Sequence, residues 1–96
     1  MFRLIVLWQF KEGTDTQPII RALEELPAKV PSILRAEVNG DLGLTKQYGC
    51  NGDLAWIAEF DDQSGWEAYA ASRPHDEFRA LCEGHITQFL VNMWSA

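Results

Sequence analysis

Positive charge, cysteine and long apolar runs are all scarce in this chain, and each scarcity removes a class of function. Eight Lys and Arg stand against 14 Asp and Glu in 96 residues, a formal net charge of -6. That balance repels phosphate backbones and anionic lipid headgroups, so neither nucleic acid nor a membrane surface is an expected partner. No basic run with interleaved aromatics occurs. The longest apolar run, Leu4 to Trp8, falls far short of the roughly 20 residues a membrane helix needs, and no charged leader with a small-residue cleavage site is present. A cytoplasmic setting is the expectation. Of the two cysteines, Cys50 lies in a Gly-rich turn and Cys82 in a helical pattern, with no CxxC and no His cluster at metal spacing. Both are expected to be reduced thiols, with no metal. The glycines of Asn39 to Gly52 form neither GxGxxG nor GxxxxGK and have no strand-to-helix context, so no phosphate cradle and no cofactor are expected.

What is present suits a soluble domain. Hydrophobic residues make up 47% of the chain and charged residues 23%, and the length predicts one domain over residues 1–96. Ordering a chain of this size costs on the order of 100 to 200 kcal/mol of conformational entropy, and so small a fold leaves much of its surface uncovered. Self-association is a natural remedy.

Alternation predicts a first strand over Phe2 to Phe10, with Phe2, Leu4, Val6, Trp8 and Phe10 on one face and Ile5 and Leu7 on the other. Both faces of that strand are expected to be covered. Thr14, Asp15 and Thr16 are candidate N-caps for a helix carrying Ile19, Ile20, Leu23 and Leu26, with Pro18 in its first turn and Pro27 and Pro31 ending it. A second strand is expected over Ile33 to Val38. The Gly-rich stretch Asn39 to Gly52 reads as a long mobile connection. Asp53 to Phe60 is a third strand with Leu54, Trp56, Ala58 and Phe60 on one face. A helix over Gly65 to Ser72 follows, then a break at Arg73 and Pro74 and a short helix from His75 to Glu83, with Gly84 as its C-cap. Ile86 to Trp94 alternates as a closing strand.

The order strand, helix, strand, strand, helix, strand is that of the ferredoxin-like α+β sandwich. Helices on one side of such a sheet leave the other side bare. Trp8, Phe10, Leu90 and Trp94 are the candidates for that bare face, and a second copy is the simplest cover, giving a homodimer.

The segments RLIVLWQFKEG, GDLAWIAEFDD, WEAYAASRPHDEF and FLVNMW resemble the stress-responsive A/B barrel domain over nearly the whole chain. The most specific part is a Tyr followed six residues later by His, with a Pro between and an aromatic beyond, here Tyr69, Pro74, His75 and Phe78. The resemblance implies a dimeric α+β barrel in which two four-stranded sheets close on one another with the helices outside. One plant member of the family cyclises a linear polyketide without a cofactor, using a Tyr and a His that match Tyr69 and His75. The histidines that enzyme carries on its first and third strands are replaced here by Arg3 and by Leu54 or Asp53.

Tyr69 and His75 are therefore the candidate catalytic residues. An imidazole with a pKa of about 6.5 can take a proton from an activated carbon and return it, while a tyrosine hydroxyl can donate to a developing enolate oxygen. Arg3 could hold a carboxylate. Arg3, Ile5, Leu7, Trp56 and Phe78 are the expected ligand-binding residues of a pocket between sheet and helices. The competing reading makes Tyr69 a core residue with its hydroxyl satisfied by backbone, and His75 a positioning residue for the short helix. Three functions stay open: binding of a small organic molecule, apolar or polyketide-like, in a stress response; cofactor-independent cyclase or lyase chemistry; and a module for dimerisation alone.

Overall fold

The computed structural model describes residues 1–96. A four-stranded antiparallel sheet in the order β2-β3-β1-β4 is covered on one face by three helices, a ferredoxin-like α+β fold. Its elements are β1 Phe2–Phe10, α1 Gln17–Lys29, β2 Arg35–Gly40, β3 Leu54–Phe60, α2 Gln63–Ala70, α3 Arg73–Cys82 and β4 Ile86–Ser95.

Period-two alternation decides which side chains meet the helices. Leu4, Val6, Trp8 and Phe10 of β1 and Leu54, Trp56, Ala58 and Phe60 of β3 are buried with Ile19, Leu23 and Leu26 of α1 in one core. The three α1 residues recur at helical spacing, which puts them on a single stripe. Trp8 and Phe10 thus lie under the helices, 6% and 7% exposed, and not on the bare face as expected. The reason is register: both belong to the same pleat side as Leu4 and Val6, and one strand cannot turn part of that side around.

The bare face is set by the complementary positions. Arg3 opposes Glu59 and Trp94, Ile5 opposes Ile57 and Asn92, and Leu7 opposes Ala55 and Leu90. Leu7, Leu90 and Trp94 are exposed there, as the alternation requires for the last two.

Two prolines expected to break helices lie inside them. α1 continues through Pro27 to Lys29, with the Val30 N–H donating to the Leu26 carbonyl at 2.9 Å. Pro74 lies in the first turn of α3, where a missing N–H has no helical partner to lose. The second strand starts two residues later than expected, because Ile33 is held in a turn by its N–H donating to the Val30 carbonyl at 3.1 Å. Asp15, one of the candidate caps, accepts from the Gln17 N–H at 3.1 Å. No helix is long and apolar enough to cross a membrane.

Candidate functional site

α1 covers the β2–β3 side of the sheet, and α2 and α3 stand over β1 and β3. Beyond them the edge strand β4 is left without a helix above it. A groove of about 700 Å³ runs in that gap. Its floor is Leu4, Val6 and Trp8 of β1 with Phe89 and Val91 of β4, and its helical wall is Trp66, Tyr69, Phe78 and Cys82. His75 joins that wall, while Asp76, Arg79 and Glu83 bring charge to the lining.

Local chemistry explains why Tyr69 and His75 meet. Tyr69 sits in the last turn of α2, its ring against Trp56 and Phe60 at centroid distances of 5.5 and 5.9 Å. Ser72 caps α3: its hydroxyl donates to the Tyr69 carbonyl at 2.6 Å and accepts from the His75 N–H at 3.3 Å. One side chain therefore ties the end of α2 to the first turn of α3. The Tyr69 and His75 rings come edge to face at 4.8 Å, 66° apart.

Burial favours the neutral forms of Tyr69, His75 and Cys82. Burial pushes the Tyr69 hydroxyl above its ordinary range, helped by the nearby Cys82, and burial lifts the Cys82 thiol to about 11. His75 titrates below its ordinary value, first because burial penalises the imidazolium and then because Arg79 lies close; the Ala70 backbone and Asp76 oppose that shift without cancelling it. A neutral, half-buried imidazole is a competent proton acceptor. Its Nδ1 is buried and has no hydrogen-bond partner in the protein. The Tyr69 side chain is 5% exposed, yet its hydroxyl takes no part in the protein's hydrogen bonds and is not among the fully buried unpaired atoms. It therefore opens onto the groove. The His75 Nε2 makes no hydrogen bond and is not fully buried, so it and the Tyr69 hydroxyl, not Nδ1, are the atoms open to a third molecule.

Of the residues singled out in the sequence, Tyr69, His75 and Phe78 come together in the groove. Trp56 lies beneath Tyr69, 1% exposed, and its far side lines a smaller cavity with Leu23, Pro27 and Val38. Arg3, Ile5 and Leu7 do not reach the groove. They point from the opposite pleat side of β1, so no rotamer brings them through the sheet. There the Arg3 Nε lies 3.9 Å from Glu59 Oε1 and lacks a hydrogen bond.

Sequence reasoning missed Ser72, Cys82, Trp66 and the apolar pair Phe89 and Val91. Ser72 was legible, since a Ser directly before Arg-Pro at a helix start is a cap signature. Phe89 and Val91 carried the right alternation, but their part in a groove depends on β4 being an edge strand.

The model of the Stress responsive A/B Barrel Domain matches residues 2–93. No curated protein sequence matches the chain. Among solved structures, a dimeric ferredoxin-like protein of unknown function from Thermobifida fusca is 24% identical, with a TM-score of 0.85, covering 99% of this chain and 90% of that one. An antibiotic biosynthesis monooxygenase is 20% identical, with a TM-score of 0.82 and coverage of 100% and 98%. A hydroxynitrile lyase from Passiflora edulis is 18% identical, with a TM-score of 0.82 and coverage of 97% and 90%.

Proposed function

The chain belongs to the stress-responsive A/B barrel domain family, and from that premise we propose that it is a homodimer that binds a small organic molecule in the groove beside Tyr69 and His75. The observation that carries the binding reading is the pair of accessible polar atoms without a partner in the protein, the Tyr69 hydroxyl and the His75 Nε2, beside an apolar groove. Each hydrogen bond that a ligand group makes to one of these atoms contributes about 0.5–1.5 kcal/mol net. The apolar floor of Leu4, Val6 and Val91 suits a hydrocarbon body, such as an aromatic or polyketide-like molecule carrying one carbonyl or hydroxyl.

Support for the homodimer comes from the sheet's open face. Leu7, Leu90 and Trp94 are 38%, 69% and 38% exposed there. Fully burying a large apolar side chain contributes about 1.5–3 kcal/mol, and a symmetric partner buries each twice. Structures of the same fold are described as dimeric, including one from Bacteroides fragilis. In this reading Arg3, Ile5 and Leu7 line the space between two sheets, with the Arg3 guanidinium beside the Glu59 carboxylate.

Cofactor-independent catalysis by a cyclase or lyase is the second reading, and the depressed pKa of His75 favours it. The imidazole would remove a proton from carbon next to a carbonyl, and Tyr69 would donate to the resulting enolate oxygen. A thermal-shift screen of neutral aromatic and aliphatic ketones tests both readings. The shift that stabilising compounds produce should be smaller in His75→Ala and in Tyr69→Phe than in the parent chain. Compounds whose shift is undiminished in both variants would place binding elsewhere and overturn the site.

A further inference from the structure

The loop between β2 and β3 displays large apolar side chains to solvent. Its backbone is closed by its own bonds: the Asp41 carboxylate accepts from the Gly43 N–H at 2.8 Å and from the Asn51 side-chain amide at 3.3 Å, and a 3-10 turn spans Lys46–Tyr48. Its returning limb is fastened to β1, with the Asp53 N–H donating to the Trp8 carbonyl at 2.7 Å and Asp53 Oδ2 accepting from the Phe10 N–H at 2.7 Å. On this frame Leu42, Leu44 and Tyr48 are 87%, 77% and 71% exposed. Nothing in the same chain covers them.

The groove lacks a wall in the complementary place. Its outer boundary is β4, an edge strand whose groove-side residues Phe89 and Val91 are 57% and 46% exposed. The sheet has two free edges, β2 and β4, and a two-fold axis running along the strands brings β2 of one copy beside β4 of the other. Antiparallel pairing is the more common kind and preserves the pattern of this sheet. Because β1 is parallel to β2 and antiparallel to β4, that pairing sets the β2 exit of one copy at the end of β4 where Ile86 and Phe89 lie in the other.

We propose that this loop caps the ligand groove of the second copy, Leu42, Leu44 and Tyr48 closing over Phe89 and Val91, so that each binding site is built from both protomers. The inference rests on the homodimer reading above and adds to it a role for the loop. It gives Leu42, Leu44 and Tyr48 a covered position that the single chain denies them, and it supplies the groove's missing wall from the same assembly. The ligand would then be enclosed by one protomer's Tyr69 and His75 and the other's loop.

Cys50, exposed in this same loop, is a ready chemical probe. Two chains are co-expressed, both with Cys82→Ala: one keeps Cys50, and the other carries Cys50→Ser with Phe89→Cys or, independently, Val91→Cys. A short bismaleimide should join the two different chains in a covalent heterodimer. A control with Asp15→Cys in place of the groove cysteine should give none. If sedimentation finds a dimer but neither groove cysteine couples to Cys50 above the control, the capping proposal is overturned while the homodimer stands. If sedimentation finds only monomer, the homodimer reading falls and takes the cap with it.

Discussion

Replacing Tyr69 by Phe separates a residue that fills the core from one that faces a ligand, because it deletes one oxygen and leaves the ring in place. The ring's contacts with Trp56, Phe60 and His75 are retained. What is lost is a hydroxyl that bonds to no other group of the protein. A tyrosine whose hydroxyl were satisfied by backbone would forfeit about 1 kcal/mol on this change, or about 4–8 °C in Tm for a domain of this size. Here no bond is broken, and the variant should unfold within about 0.5 kcal/mol of the parent in urea, with an unchanged m value. Its affinity for a groove ligand should instead fall by about twofold to tenfold, the worth of one hydrogen bond. Stability is read at one fixed protein concentration, since a dimer's midpoint moves with concentration. Destabilisation beyond about 1.5 kcal/mol would refute the reasoning, because it would mean that the hydroxyl holds the fold together.

Three further outcomes follow from the same geometry. The folded state holds His75 below its ordinary 6.5, so the unfolded chain binds more protons as pH falls. Its contribution to stability should be flat above about 6.5 and decline below it until the native imidazole itself protonates; a urea-midpoint series against pH should lose that segment in His75→Gln. Ser72→Ala removes both a helix cap and the tie between α2 and α3, and should cost about 0.5–2 kcal/mol while moving the His75 ring resonances; unchanged His75 shifts would show that Ser72 does not position the ring. Leu90→Asp puts a charge on the open sheet face without entering the core, and sedimentation should find monomer with its far-UV spectrum retained; an undisturbed dimer would place the interface elsewhere.

Much of the fold was legible because period-two alternation is strong in β1 and β3, where Leu4 to Trp8 and Leu54 to Phe60 sort cleanly between two faces. Sidedness was less so. Trp8 and Phe10 are large and apolar, and size alone suggested an interface, yet their pleat position commits them to the core. Pro27 and Pro74 look alike in sequence and act by position: one is carried in the last turns of α1, and the other starts α3. The pairing of Tyr69 with His75 was readable from the motif, while the placement of Arg3, Ile5 and Leu7 was not. Which face of β1 meets the groove is decided by where α2 and α3 land, and that is a property of the packed fold rather than of the strand.

The most direct test of the groove as a binding site is a two-dimensional NMR titration of the labelled protein with a neutral aromatic ketone such as acetophenone. Shifts should concentrate at Trp66, Tyr69, His75, Phe78 and Phe89 and saturate together. Shifts confined to the open sheet face around Arg3 and Ile57, with the groove silent, would contradict the account.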